Sequence, residues 1–376
     1  MEYIWQKKAW PDFTWDSARL LKPLGDVRFN QGVLTAQLRE LGFDIQQTAR
    51  ADILVEEALK TSAIEGEILN PDAVRSSVGR RLGLPDAGFK DVKDPKADGL
   101  VQILLDATNN HSRELTSERI FGWHAALFPT GFSGMTKINV AQWRDDKQGP
   151  MQVISGPVGR RKIHFEAPPA VMLEKAMQAF YLWINRNPEI DGVIRAGLAH
   201  LWFITLHPFD DGNGRIARTL TDMLLARDEN NPKRFYSISS QIMAERNEYY
   251  DILNTTQKGN LNITLWLEWF LKCMNRAILN ANFLLKKTMD KSRFWQTFAQ
   301  TRLNERQTKV VNRLLDAGPE GFEGGLKNKK YMGMAHTSRA TAQRELSDLI
   351  QKGILIKLPG GGRSTSYDLD WVKFKN

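Results

Sequence analysis

The residues with the plainest chemical reading run from His207 through Pro208, Phe209, Asp210, Asp211, Gly212, Asn213 and Gly214 to Arg215, with Arg218 one turn further on. An imidazole titrates near neutrality and can take a proton from an attacking hydroxyl. Gly212 and Gly214 permit tight positive-φ turns that aim successive N–H groups into one concavity at a helix N-terminus, where the helix dipole favours an anion. Arg215 and Arg218 lie three residues apart on one helix face and can fork onto phosphate oxygens, while Asp211 adds a hard carboxylate suited to Mg²⁺. A nucleoside triphosphate with its metal fits this inventory, and the chemistry is nucleotidyl or phosphoryl transfer. A histidine before a proline is by itself a common helix end, and a glycine-asparagine string a common turn. Their fixed order between two apolar helices is what points to a site.

Those helices are legible on either side. Leu201 to Leu206 is apolar enough to be buried, so His207 leaves a rigid helix end that Pro208 stops, and Ile216, Leu220, Met223 and Leu224 carry the helix that follows. Around them, periodic apolar spacing predicts helices at 99–108, 114–127, 170–185, 189–206, 214–227, 240–257 and 264–285. One stretch breaks the rule: residues 150–165, with Met151, Val153, Ile154, Ser155, Gly156 and Gly159, read as a short hairpin. Before the core, residues 32–50 and 51–65 are also helical in pattern, and the Pro- and Gly-bearing stretch 83–94 reads as a linker. At the other end, Thr337 or Ser338 can cap a helix running to about Gln351. Gly353 can end it, and two strands flank a glycine tip at 359–362, which is winged-helix order.

Composition bounds the setting. Apolar residues make up 42% of the 376-residue chain, and the single Cys273 leaves no disulfide framework, so a reducing cytosol is the natural setting. No stretch is long and apolar enough to span a bilayer, and the N-terminus lacks the apolar run of a signal peptide. The formal charge is +9, and residues 302–376 hold 14 Lys/Arg against 8 Asp/Glu. A polyanion contact is therefore sought there first, through Lys327, Lys329, Lys330, Arg339 and Arg344.

The string HPFDDGNGRIAR resembles the full signature of the Fic (fido) proteins, H-P-F-x-D/E-G-N-G/K-R-x-x-R, with no departure. The resemblance implies a helical core, ATP as cosubstrate, Mg²⁺, and transfer of AMP to a Ser, Thr or Tyr hydroxyl. It makes His207 the general base, Asp211 the metal ligand, Asn213 an α-phosphate contact, and Arg215 and Arg218 clamps on the β- and γ-phosphates, with Gly212 in the same ATP-binding loop. Gly214 sides with AMP transfer, since the similar Doc-like toxins, which phosphorylate their target, carry Lys there. The hairpin at 150–165 corresponds to the family's flap, where an extended target segment is thought to pair by strand addition. Tyr249, Tyr250 and Gln257 fall where relatives contact the base of the nucleotide.

Thr61-Ser62-Ala63-Ile64-Glu65-Gly66 resembles the inhibitory motif S/T-x-x-x-E-G/N of autoinhibited Fic proteins, placed before the core. A carboxylate at Glu65 beside Arg218 would form a forked ion pair in the space of the γ-phosphate. In the family the same glutamate can also position water that removes AMP from a modified target. The expectation is a mainly α protein in three parts: an N-terminal inhibitory region (1–95), a Fic core with a β-hairpin flap (96–290) and a winged-helix domain (300–376). Its partners would be ATP and a target protein, with the chain itself among the candidate targets, and DNA or another protein at the winged helix. Two alternatives stand: a DNA-binding regulator whose core senses nucleotide, and transfer of a different phosphate-containing group. The target, its acceptor residue and the oligomeric state are not written in the sequence.

Overall fold

The computed structural model describes residues 2–84, 92–155, 160, 162–186, 189–318, 322, 324–359 and 365–375. It is mainly helical and divides into two compact units, Met1–Ala281 and Asn282–Asn376. In the first unit the N-terminal region forms α1 (Ser17–Arg39), α2 (Phe43–Ile64) and α3 (Pro71–Leu82). There follow α4 (Pro95–Asn109), α5 (Ser117–Leu127), α6 (Leu173–Asn185), α7 (Gly192–Leu206), α8 (Asn213–Asp228), α9 (Ile238–Ala244) and α10 (Arg246–Gln257). The unit boundary falls inside α11 (Thr264–Thr297). Polar side chains set the starts: Asp16, Asn70, Asp94, Thr116, Asp191 and Ser237 each accept a hydrogen bond from a first-turn N–H, and α3 and α4 open on proline.

The centre of this unit is the pair α7 and α8. Val193 to Leu206 is buried without interruption, as expected of a helix apolar on all sides. Asn213 to Ala226 is buried too, yet that run includes Arg215, Arg218, Thr219, Thr221 and Asp222. Burying so many polar groups in one helix requires partners for each of them. α2 packs on both α8 and α9. Its buried Glu57 accepts from the Ser237 hydroxyl at 2.6 Å, from the Ser239 hydroxyl, and from the Ser239 N–H at 3.2 Å. The compact unit thus takes in the helices on both sides of the boundary expected near residue 95. The linker expected at 83–94 lies mostly in residues 85–91, outside the described residues; Gly83 ends α3 with φ 64°.

Where α4 crosses α5 the backbones almost touch. A Cβ on Gly99 would stand 1.8 Å from the carbonyl oxygen of Ala126. Gly99→Ala should therefore lower stability by about 2–3 kcal/mol through forced separation of the two helices, read from urea unfolding. An unaltered urea midpoint would contradict this close approach.

Two short hairpins complete the unit. β1 (Phe132–Ser133) pairs antiparallel with β2 (Thr136–Lys137), and β3 (Gln152–Ser155) with β4 (Lys162–Glu166), with a register shift between Val153 and Ile154. The second is the hairpin expected at 150–165; its tip, with Gly156 and Gly159, is outside the described residues. The N-terminal segment pins it, for the Trp5 indole donates to the Glu166 carbonyl at 2.8 Å and Tyr3 meets Phe165 edge-on.

Several expected boundaries move. The stretch 32–50 breaks between Arg39 and Phe43, because Gly42 takes an extended N-cap conformation and starts α2 afresh. The stretch 240–257 is two helices, since Glu245 leaves helical geometry between α9 and α10. α11 runs past Leu285 to Thr297.

The second unit contains α12 (Glu305–Ala317), α13 (Asn328–Ala335), α14 (Arg339–Gln351), β5 (Leu355–Lys357), β6 (Tyr367–Leu369) and the short α15 (Val372–Lys375). Val310, Leu314, Tyr331, Leu346, Leu349 and Leu369 share its core. Of the two candidate caps for α14, Ser338 is the one used, accepting from the Thr341 N–H, and Gly353 follows the helix with φ 68°. β5 and β6 pair antiparallel, as the sequence order predicts; residues 360–362 of the tip between them lie outside the described residues.

Candidate active site

The loop between α7 and α8 is built by its own backbone. His207 caps α7 in the left-handed region, φ 47° and ψ 56°, and Pro208 prevents another helical turn. The Asn213 amide donates to the Phe209 carbonyl at 2.8 Å and accepts from the Phe209 N–H at 3.0 Å, so it staples the loop across its base. Gly212, at φ 85°, makes the turn into α8. Gly214 differs from expectation: its φ is not positive, and its missing side chain matters for space. A Cβ there would sit 2.0 Å from Glu65 Oε1.

His207 is oriented through one ring nitrogen. Its Nδ1 lies 3.2 Å from the Ile204 carbonyl, an acceptor only, so Nδ1 carries the proton and Nε2 keeps a lone pair. Burial holds the imidazole below its ordinary pKa, helped by the cation of Arg144, which outweighs the opposing pull of Ile204, Glu65 and Asp211. Arg144 is itself buried and donates from Nε to the His207 carbonyl at 2.8 Å, while its backbone N–H donates to Pro208. His207 is therefore neutral and able to accept a proton at neutral pH.

The two loop acids are held from the side by the first hairpin and the segment that follows it. Ser133 Oγ donates to Asp211 Oδ2, and the Asn139 N–H donates to Asp210 at 2.8 Å. His124 braces the same loop, with Nε2 3.1 Å from the Asp211 carbonyl, Nδ1 accepting from the Ala141 N–H, and its ring stacked 4.0 Å from Phe209. Neither Ser133 nor His124 stood out in the sequence, since a lone Ser or His on a helix or turn carries no motif.

A cavity of about 650 Å³ opens at this loop, and its lining includes His207, Asp210, Asp211, Asn213 and Gly214. Met151, just before β3, and Val153 and Ile154 of β3 border it as well. Ser155 ends the strand, paired in register with Lys162. Tyr249, Tyr250 and Gln257 line the opposite stretch from α10, with Gln257 donating to Thr205 at 3.2 Å. Tyr249 is buried, and its hydroxyl lies 2.9 Å from His200 Nε2. Its ring rather than its hydroxyl is what a ligand could meet. Tyr250 donates to the Ile64 carbonyl at 3.2 Å, at the end of α2.

The arginines are occupied from the side of α2. Arg218, fully buried, donates from Nε to Thr61 Oγ1 at 2.7 Å, and from Nη2 to the Thr61 carbonyl at 2.9 Å and to Glu65 Oε1 at 2.7 Å. Glu65 belongs to the cavity wall, whereas neither Arg215 nor Arg218 does. Gly66 makes this possible: at φ 83° it turns the chain at the end of α2, with its N–H on the Ala63 carbonyl and that of Glu67 on Ser62. Arg215 donates from Nη1 to Glu67 Oε2 at 2.6 Å, approaches Asp211 at 3.5 Å and lies over the Phe128 ring. Glu67 lies one residue beyond the recognisable motif, which is why the sequence did not single it out.

Two buried histidines near the site make folding pH-dependent. Burial depresses His124 to about 4 and His200 to about 3. Between about 6.5, the ordinary value, and those lowered values the unfolded chain binds protons that the folded chain rejects. Their contribution is thus complete above pH 6.5 and lost as pH falls, by about 2 kcal/mol for each histidine between pH 6.5 and 5. Urea midpoints at pH 7 and 5 check this, and His200→Gln should show a shallower dependence; equal slopes would count against it.

Comparison with known proteins agrees with the loop. Residues 114–225 match the Fic/DOC family, and residues 3–84 match a Domain of unknown function (DUF4172). Protein adenylyltransferase Fic of Nematostella vectensis is 37% identical over 108 residues, 28% of this chain and 23% of that protein. The protein of the same name from Drosophila ananassae is 36% identical over 219 residues, 57% of this chain and 39% of that protein. The chain therefore spans less than half the length of these curated relatives. A Fic family protein from Desulfovibrio desulfuricans G20 has a solved structure that superposes with a TM-score of 0.55 at 16% identity, covering 96% of this chain and 98% of that one. At that identity the likeness speaks for the fold alone. The unbroken signature, its seat between two buried helices and the match over residues 114–225 converge, and that stretch of the chain is a region similar to the Fic/DOC family.

Proposed function

We propose that the protein transfers AMP from ATP to a Ser, Thr or Tyr hydroxyl of a target protein, and that Glu65 restrains it. The acceptor oxygen attacks the α-phosphorus and gives its proton to His207 Nε2, while the bond from that phosphorus to the bridging oxygen breaks and pyrophosphate leaves. One observation carries the reading: the lone pair of His207 and the N-terminal turn of α8 border one cavity, whose wall carries a carboxylate paired with Arg218. The name of the relatives, protein adenylyltransferase, supports it.

With the carboxylates that hold them withdrawn, Arg215 and Arg218 would meet the β- and γ-phosphates, and the amides of the α8 first turn would face the α-phosphate. The Asn213 side chain is engaged with Phe209, so its second amide N–H is the part left for phosphate. Among the described residues no three metal-ligating side chains cluster. Asp211 would thus hold Mg²⁺ together with phosphate oxygens and water, as this hard ion binds with nucleotides. Bound there, the ion would offset charge on the phosphates. An acceptor segment would add to the flap along Met151, Val153, Ile154 and Ser155.

ATP labelled separately at the α- and γ-phosphates, supplied with Mg²⁺ and host lysate, tests the reaction. Label retained on protein from the α position alone is expected. Label retained from the γ position would mean phosphorylation and overturn the proposal.

The second unit supports a further reading, a winged-helix domain that contacts DNA. Lys327, Lys329, Lys330, Arg339 and Arg344 are all exposed, the last two on α14. Lys330 is partly committed, donating to the Gly325 carbonyl at 3.1 Å. Arg344→Ala should weaken duplex DNA binding about threefold to tenfold at low salt, as loss of one phosphate contact does, while His207→Ala should leave it unaltered. Absence of salt-sensitive binding by the wild type would leave a protein-docking module instead.

A further inference from the structure

Arg215 and Arg218 stand three residues apart on α8, and each is met by a different carboxylate from the end of α2. Glu65 takes Arg218 and Glu67 takes Arg215, with Gly66 between them at a φ of 83° that a side chain would resist. The spacing matches: the left-handed residue turns the chain so that two carboxylates, two positions apart in sequence, reach two guanidiniums one helical turn apart. Glu67 is anchored on its other side, since Lys96 Nζ donates to its Oε1 at 2.8 Å from the first turn of α4. Arg215, with its side chain only 6% exposed, has its charge met by Glu67, by Asp211 and by the face of Phe128 without any phosphate.

We propose that the restraint on this site has two prongs, and that Glu67 is a second inhibitory carboxylate, which withholds Arg215 from the nucleotide as Glu65 withholds Arg218. This rests on the nucleotide reading above and assigns a role to the segment matched as a domain of unknown function, which contains both glutamates. A triphosphate that displaced Glu65 alone would still find Arg215 paired and a negative charge beside its outer phosphates. Full engagement needs Glu67 to turn back to Lys96 by itself.

Calorimetric titration of the full chain tests this, with Mg²⁺ and α,β-methylene ATP as one probe and AMP as the other. The forms compared are Glu65→Gly, Glu65→Gly with Glu67→Gln, and each of these with Arg215→Ala. The Glu67→Gln change should tighten triphosphate binding about tenfold over Glu65→Gly alone, the size of one charge-assisted hydrogen bond. AMP, lacking the outer phosphates, should bind equally to both, and the gain should vanish once Arg215 is alanine. Unchanged or weaker triphosphate binding would overturn the proposal and make Glu67 an orienting group for Arg215. An equal gain for AMP, or a gain that survives Arg215→Ala, would overturn it as well. If Glu65→Gly bound neither probe, the nucleotide reading itself would fall, which is a distinct result.

Discussion

Glu65→Gly should raise AMP transfer from labelled ATP about a hundredfold over the wild type. Arg218 is fully buried and most of its donors are spent on α2, on Thr61 and on Glu65. Glu65 Oε1 stands 2.0 Å from where a Cβ of residue 214 would be, directly over the first turn of α8. That turn is where an anion is best stabilised, so a phosphate and this carboxylate compete for the same amides and the same guanidinium. Separating a buried pair while one charge stays behind costs about 3–5 kcal/mol, part of which the incoming phosphate recovers; a net ~3 kcal/mol corresponds to about two decades. Thr61 holds Arg218 in place after the substitution, so the clamp should remain aimed. Transfer that stays at the wild-type rate, in a variant that binds Mg-ATP, would show that Glu65 is not the restraint.

In that released background, His207→Ala should lower transfer by about 10² to 10⁴, the usual contribution of a positioned general base, with ATP affinity little altered. The structure prepares this imidazole for one task. Ile204 fixes the proton on Nδ1, Arg144 holds the carbonyl of His207, and the left-handed turn with Pro208 locks the backbone that carries the ring. Because burial lowers its pKa, the neutral form prevails at pH 7. The rate should stay level down to about pH 6.5 and decline only at more acid pH, as the lone pair on Nε2 is protonated. A variant that keeps its rate would move the base elsewhere; one that loses ATP binding equally would give His207 a ground-state role.

How far the sequence reaches is clearest within the loop itself. His207, Asp211, Gly212, Arg215 and Arg218 could be named because their offsets are local and each residue type carries its own chemistry. Gly214 could be named but not explained: the expected positive φ belongs to Gly212 alone, and the need at 214 is room for a carboxylate from another helix. Tyr249 was placed at the cavity, yet its hydroxyl faces His200, a partner 49 residues away. Helix breaks at 40–42 and at Glu245 are not legible in the sequence, because apolar periodicity continues through them, while caps and backbone angles decide where a helix stops.

Taken alone, the sequence determined the candidate loop from His207 to Arg218 and the order of helices, since motif spacing and apolar periodicity are properties of short segments. It also pointed to Glu65 through the pattern beginning at Thr61. Only the tertiary structure decided that Arg218 meets Thr61 and Glu65, that Arg215 meets Glu67 rather than lining the cavity, and that Ser133 and His124 brace Asp211. Those contacts join residues up to 157 positions apart, and which charges meet across such distances depends on how whole helices pack. No local pattern records that packing, because it is set by burial summed over the entire unit.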